Sequence, residues 1–428
     1  MSVRGRYLLL LGLRWLATGL IIPILVLLPL DRGLTLSQVG MVGVAQGLLV
    51  LALELPTGGL ADALGRRPVL LAAGAVNLAS FALLAVAGSV PMFIAVFALQ
   101  GVYRALDSGP LDAWYVDAAL AADPDADIEG GLSRGGVVTG LAIAAGALAG
   151  GGLVALDPLP GVDPLAVPVL AAIAVQAIAL LAVVLLLTEV RPAAVSSSRS
   201  AGRAAVLAAS VRQVPGTVRA ALGLLRRSRV LAALVAVELF WGFGMITFET
   251  LLPVRLTEVV GDTDNAAALL GPASSAAWLA SAAGAALIPL AARRIGAPWT
   301  GAVLRILQGL TVVGMALLAG PAGVLAAYLL CYVVHGAANP VHMGLLHRQV
   351  DGPYRTTVLS LNSMMAQPAG ALGLLTLTAL ADATSVSTAM LAGAAVLAAA
   401  APLYLVARRP SRLRPQVTPE RDPVGLST

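Results

Sequence analysis

Apolar runs of about twenty residues recur along the chain, separated by short polar breaks. At 1.5 Å of rise per residue, a helix of that length crosses the hydrocarbon core of a bilayer. Counted this way, spans are predicted at residues 7–30, 37–61, 68–88, 91–117, 134–156, 165–188, 230–255, 265–292, 298–319, 322–346, 356–381 and 385–407, twelve in all. The longest polar segment, 189–229, is rich in Ser, Arg, Ala and Val and separates six spans from six. Part of it reads as an amphipathic helix on the membrane surface. The predicted organisation is an N-terminal six-helix bundle at 1–188, a cytoplasmic linker at 189–229, a C-terminal six-helix bundle at 230–407 and a tail at 408–428. Pro410, Pro415, Pro419 and Pro423 predict a disordered tail. The first run is interrupted by Arg14 and lacks a small-residue cleavage site, so it reads as an uncleaved span.

Composition removes the soluble alternative. A length of 428 residues would suggest two or three soluble domains, but 59% of the residues are hydrophobic and 11% charged. No soluble core buries that much apolar surface, so the bilayer is the solvent. The fold class is an all-α membrane protein. The net charge of +5 is not a nucleic-acid signal, because the arginines cluster in loops. Arg4, Arg6, Arg66, Arg67, Arg134, those from Arg191 to Arg229, Arg293, Arg294, Arg348, Arg355 and the tail arginines share one face. Arg32 and Arg255 hold the other. That asymmetry places both termini in the cytoplasm. The Ala, Leu, Val and Gly content suggests a GC-rich bacterial chain, hence a bacterial plasma membrane. Cys331 is the single cysteine, which excludes an intramolecular disulfide.

The break between spans two and three reads Gly58-Gly59-Leu60-Ala61-Asp62-Ala63-Leu64-Gly65-Arg66-Arg67-Pro68. It resembles the signature loop of the major facilitator superfamily, Gly-x-Leu-Ala-Asp-Arg-x-Gly-Arg-Arg. Seven positions match in register, and Ala63 departs where the family carries arginine. The halves also repeat each other. Leu27-Leu28-Pro29-Leu30 closes span one as Leu251-Leu252-Pro253-Val254 closes span seven, and that offset sets Arg14 against Glu238. A worn copy of the loop, Leu290 to Gly296, has Ala292 in place of Asp62. Pro110 in span four matches Pro340 in span ten, setting Asp112 against His342 and Asp117 against His347. Repeated halves around a midplane site are a transporter architecture.

A charge inside the hydrocarbon needs a partner or water. In span four, Gln100, Arg104, Asp107, Ser108, Asp112 and Tyr115 fall on one arc of a helix. Arg104 and Asp107, three apart, can pair directly. They form either a cavity wall with a titratable aspartate or a fixed ion pair. Phe97 stands where the resemblance leads one to look for a proton-linked arginine, with Arg104 the candidate substitute. In span seven, Glu238 and Glu249 share a face with Trp241, Gly242 and Met245. Glu238 is the best-placed acid for a cavity; Glu249 reads equally as a rim carboxylate. Glu54 in span two is a candidate partner for Arg14. In span ten, His335, Asn339 and His342 stand at i, i+4 and i+7. They read as a cavity face, and a metal site is not predicted because neither cysteine nor acid accompanies them.

Gly146, Gly150 and Gly151 in span five match the glycine pattern of the superfamily's drug–proton antiporters, with Ala147 at the proline position. Close helix packing explains small residues equally well. The resemblance implies two six-helix bundles with pseudo-twofold symmetry, alternating access and a monomer in the lipid bilayer. It implies a gate of Gly58, Asp62, Gly65, Arg66 and Arg67. There Arg66 pairs with Asp117, and Asp62 faces the amino end of span eleven near Arg355. The expected function is proton-coupled efflux of a small hydrophobic compound through a cavity lined mainly by Ala, Leu, Val, Gly and Met. Asp107 is the first proton carrier and Glu238 the second, with Arg14 as its relief. The alternatives are a solute importer or facilitator, and a non-transporting sensor or membrane enzyme. A sensor lacks an output domain here, and an enzyme lacks an acid–base or metal cluster near an interface. No nucleotide loop, zinc motif or nucleophile elbow is present, so no cofactor and no nucleic-acid partner are expected.

Overall fold

The structure, a computed structural model, describes residues 1–188, 223, 225–226, 228–349 and 355–408. Within these, side chains are described except at 54–56, 58–59, 61–63, 289–291, 355–361 and 363. The proposed linker and tail therefore lie almost wholly outside the described residues. Among the described residues there are helices and no strands. Twelve helical segments are long and apolar enough to cross a membrane. They are Val3–Ile24, Leu36–Leu53, Arg66–Val86, Val90–Ala122, Ile128–Leu156 and Pro164–Leu186, then Arg229–Val260, Thr263–Ile295, Ala297–Leu317, Gly320–His347, Met364–Ala383 and Val386–Arg408. We number them spans one to twelve.

Local chemistry sets where the helices begin. Ser2, Asp127, Asp163, Ser228, Asp262 and Ser385 each accept from a backbone N–H in the first turn that follows, which satisfies a donor with no helical partner. Arginines close the ends. Arg32 donates to the carbonyls of Leu84, Ala85 and Ala87 at 2.7–3.0 Å, where span three ends. Arg6 and Arg67 reach the carbonyls of Leu186 and Val184 at the end of span six, at 3.2 and 2.7 Å. Cations at helix C-termini meet both the free carbonyls and the dipole.

Three spans are interrupted. Span four is two helices, Val90–Asp107 and Pro110–Ala122, joined through Ser108 and Gly109. Gly109 has φ +93°, which a residue with a Cβ adopts only under strain. Span twelve passes from Val386–Ala399 to Ala401–Leu405 at Ala400. Just past span one and within span seven, Leu-Leu-Pro starts a new short helix, Leu27–Asp31 and Leu251–Val260. A proline clashes with the carbonyl four residues back and cannot donate to it. The repeat holds at the loop as well: Gly65 (φ 98°, ψ 157°) and Gly296 (φ 81°, ψ 150°) take the same backbone conformation before spans three and nine.

The halves pack alike. Span one lies on five and six, span four on two and three, and span three on six. Span seven lies on eleven and twelve, span ten on eight and nine, and span nine on twelve. Between the halves, span two meets eleven and five meets eight. Glycines allow these approaches. A Cβ on Gly146 would meet the Leu16 carbonyl at 2.5 Å, and one on Gly151 would meet Gly271 Cα at 2.7 Å. The span-five glycines thus serve close packing, against span one and across the halves. At the aspartate-bearing end, the Ser37 backbone N–H donates to Asp382 at 2.7 Å and its hydroxyl donates to the same carboxylate. Asp31, between spans one and two, titrates above the usual carboxylate range there, through partial burial and then the charge of Asp163, with Arg32 opposing.

Candidate functional site

A cavity of about 520 Å³ lies against the first half. Span one contributes Arg14, Trp15 and Thr18, span two Gln46, and span three Asn77 and Phe81. Span four adds Gln100, Tyr103, Arg104, Asp107 and Ser108, while Gln367 of span eleven is the second half's share. The expected aliphatic lining is corrected: four amides, three aromatic rings and three charges face this space. The span-four group was visible as one arc, whereas Gln46, Asn77 and Gln367 each sit singly in an apolar run and only the fold gathers them.

Asp107 does not pair with Arg104. Its carboxylate lies 2.9 Å from Arg14 Nε, joining span four to span one. The helix stops at Asp107, which turns that carboxylate toward Arg14, whose guanidinium also lies 5.3 Å above the Trp15 ring. Arg104 is left exposed to the cavity and, among the described residues, has no ion pair. Arg14 accordingly does not relieve Glu238, while its expected pairing with Glu54 falls on a side chain outside the described residues. The predicted single arc is also interrupted. Beyond Gly109, Asp112 accepts from Tyr7 at 2.8 Å and Tyr115 stacks on Tyr7 at 4.4 Å, both outside the cavity.

Glu238 finds its partner in span ten. His342 Nε2 lies 3.1 Å from Glu238 Oε1 and 3.0 Å from Asn362 Oδ1, while Nδ1 lies 3.0 Å from the Tyr404 hydroxyl. Nε2 faces two acceptor oxygens and so carries a proton; in the neutral ring, Nδ1 accepts from Tyr404. The predicted face of span ten divides. His342 is buried in this network, and His335 stacks on Trp241 at 5.7 Å beside Phe248 and Tyr332. Asn339 is exposed and joins neither group. Glu249 accepts from Tyr332 at 2.6 Å.

At the arginine-rich end, Arg66 Nη2 lies 3.4 Å from Asp117 Oδ2. Gly65 supplies the turn before it. Gly58 lies in the helix Leu36–Leu64, and the side chains of Glu54, Asp62 and Arg355 lie outside the described residues. Sequence reasoning passed over Arg305, which is 3% exposed and bonds Gln308 at 2.7 Å close to Glu238 and Tyr404. Its signal was plain: an arginine inside the apolar run 298–319. Gln46, Asn77, Tyr103 and Gln367 were missed too.

Residues 7–373 match the family model described as Major Facilitator Superfamily. The nucleoside transporter NupG superposes with a TM-score of 0.77 at 14% identity, covering 96% of this chain and 100% of that one. A bacterial homolog of the human lysosomal transporter Spinster, inward-facing and occupied, gives 0.73 at 14% identity, covering 95% and 96%. A peptide transporter, POT, in complex with sulfate gives 0.72 at 15% identity, covering 95% and 93%. No curated protein matches the chain in sequence.

Proposed function

The chain belongs to the major facilitator superfamily, and on that premise we propose that it is a proton-coupled secondary transporter that exports a small solute by alternating access. The Arg14–Asp107 pair carries this reading. It forms part of the cavity wall, and Asp107 is the last helical residue before the break at Ser108 and Gly109. A change of angle there would draw the carboxylate from its guanidinium. A charge at that depth without a counter-ion is costly, and a proton removes it. The polar lining favours a solute with hydrogen-bonding groups over a wholly apolar one, since buried amides left unpaired are costly.

The orientation we propose has both termini and the 189–229 linker in the cytoplasm of a bacterial plasma membrane, with 1–188 and 230–407 as two bundles of a monomer. In it, Arg66 with Asp117, and Asp62 with the start of span eleven, close the cytoplasmic side. Export is the direction implied by the resemblance to drug–proton antiporters. The test is solute flux in proteoliposomes with an imposed pH gradient, read in both directions. Asp107→Asn should abolish the pH-driven component while solute exchange continues. Undiminished pH-driven flux in that variant would remove Asp107 from the coupling mechanism.

A further inference from the structure

We infer that the cavity is a site for a monovalent organic anion, held by Arg104 and Gln100. The inference rests on the transport reading above and adds the chemical class of the solute.

Charge gives the first argument. Of the three charged side chains facing the cavity, Arg14 and Asp107 neutralise each other at 2.9 Å. Arg104 is left over, exposed to the space and without an ion pair among the described residues. A guanidinium at membrane depth is kept because it meets water or an anion. Its planar fork matches the two oxygens of a carboxylate.

Gln100 gives the second, independent argument. It stands four residues before Arg104, on the same face of the helix and about 6 Å along the axis. It is 6% exposed, it lines the cavity, and its amide nitrogen has no acceptor among the described residues. A buried donor without a partner is expensive, and a turn of the terminal amide would bring that nitrogen to the cavity, where a ligand oxygen satisfies it. The guanidinium offers donors and no acceptor, which selects a group made of acceptors. The same wall limits the charge to one, since a single cation is left unpaired there to balance it. Trp15 and Phe81 supply an apolar surface for the body of the ligand.

The test uses the full chain in detergent and three naphthalene probes of similar outline: 2-naphthoate, the uncharged 2-naphthamide and a naphthyl quaternary ammonium. Binding is measured by calorimetry with no pH gradient. Naphthoate should bind, with the amide and the ammonium weaker by about tenfold or more, as expected for a hydrogen-bonded charge. Arg104→Gln should reduce naphthoate to the level of the amide, Arg104→Lys should keep part of the preference, and Arg4→Gln should change nothing. Equal binding of naphthoate and naphthamide overturns the assignment, as does unchanged naphthoate affinity in Arg104→Gln or no naphthoate binding at all. The probe comparison in the unmodified chain stands even if a variant fails to fold. Loss of proton coupling would leave this binding result intact, and loss of anion preference would leave transport of another solute intact.

Discussion

Arg14 and Arg104 line one cavity, yet one is an ion-pair partner and the other faces open space. The difference is testable through stability. Arg14→Leu leaves the Asp107 carboxylate unpaired and should cost about 3–5 kcal/mol, whereas Arg14→Leu with Asp107→Leu should recover most of it. Thermal unfolding in detergent reads both, and a double variant no more stable than the single one would contradict the pairing. In the second half, Tyr404→Phe removes the hydroxyl beside His342 Nδ1 and should cost about 1–3 kcal/mol by the same measurement. The depth of Asp107 and Arg104 was legible because charges stand out in an apolar run. Their pairing was not, because sequence shows the neighbour three residues away and hides a guanidinium on another span. Arg305 carries the same signal as Arg104, a single cation in an apolar run, but its neighbour Glu238 is brought to it only by the fold.

The same proline has opposite effects in two spans. Pro110 begins a new helix, whereas Pro340 sits inside the continuous helix Gly320–His347. The residues in front decide: Gly109 can take a left-handed conformation, while Asn339 stays helical. Gly109→Ala should therefore cost about 1–2 kcal/mol and shift the Arg14–Asp107 distance, read by unfolding and by the pH dependence of flux. An alanine tolerated without loss would show that the break does not depend on this glycine. Hydropathy made the number of spans legible, since twelve apolar runs cannot be hidden. It did not show the breaks, because the polar residues beside them, Asp107-Ser108 and Glu249-Thr250, read equally as a cavity face within one continuous span.

Across the whole molecule, the two halves meet where side chains are smallest. Gly151 and Gly271 approach so closely that a leucine at position 151 would wedge spans five and eight apart. Gly151→Leu should lower solute exchange at least tenfold, to the extent that this contact forms in every cycle; normal exchange would show that it does not. The proposed orientation has its own check: a cysteine replacing Ser210 should resist impermeant thiol reagents added outside intact cells. Strong labelling there would invert the arrangement.

Among the described residues, all that face the cavity apart from Gln367 belong to the first half. A solute seated there keeps nearly the same neighbours whichever way the second half is turned. It travels as a passenger in the frame of one half, with the other acting as a shutter. A ligand that binds two arrangements equally shifts the balance between them not at all, however tightly it binds. Affinities measured from the two sides of the membrane should then agree to within about threefold. Under the proposed coupling, the work of turning would fall to the proton, and the resting distribution of the carrier would be indifferent to how much cargo is present.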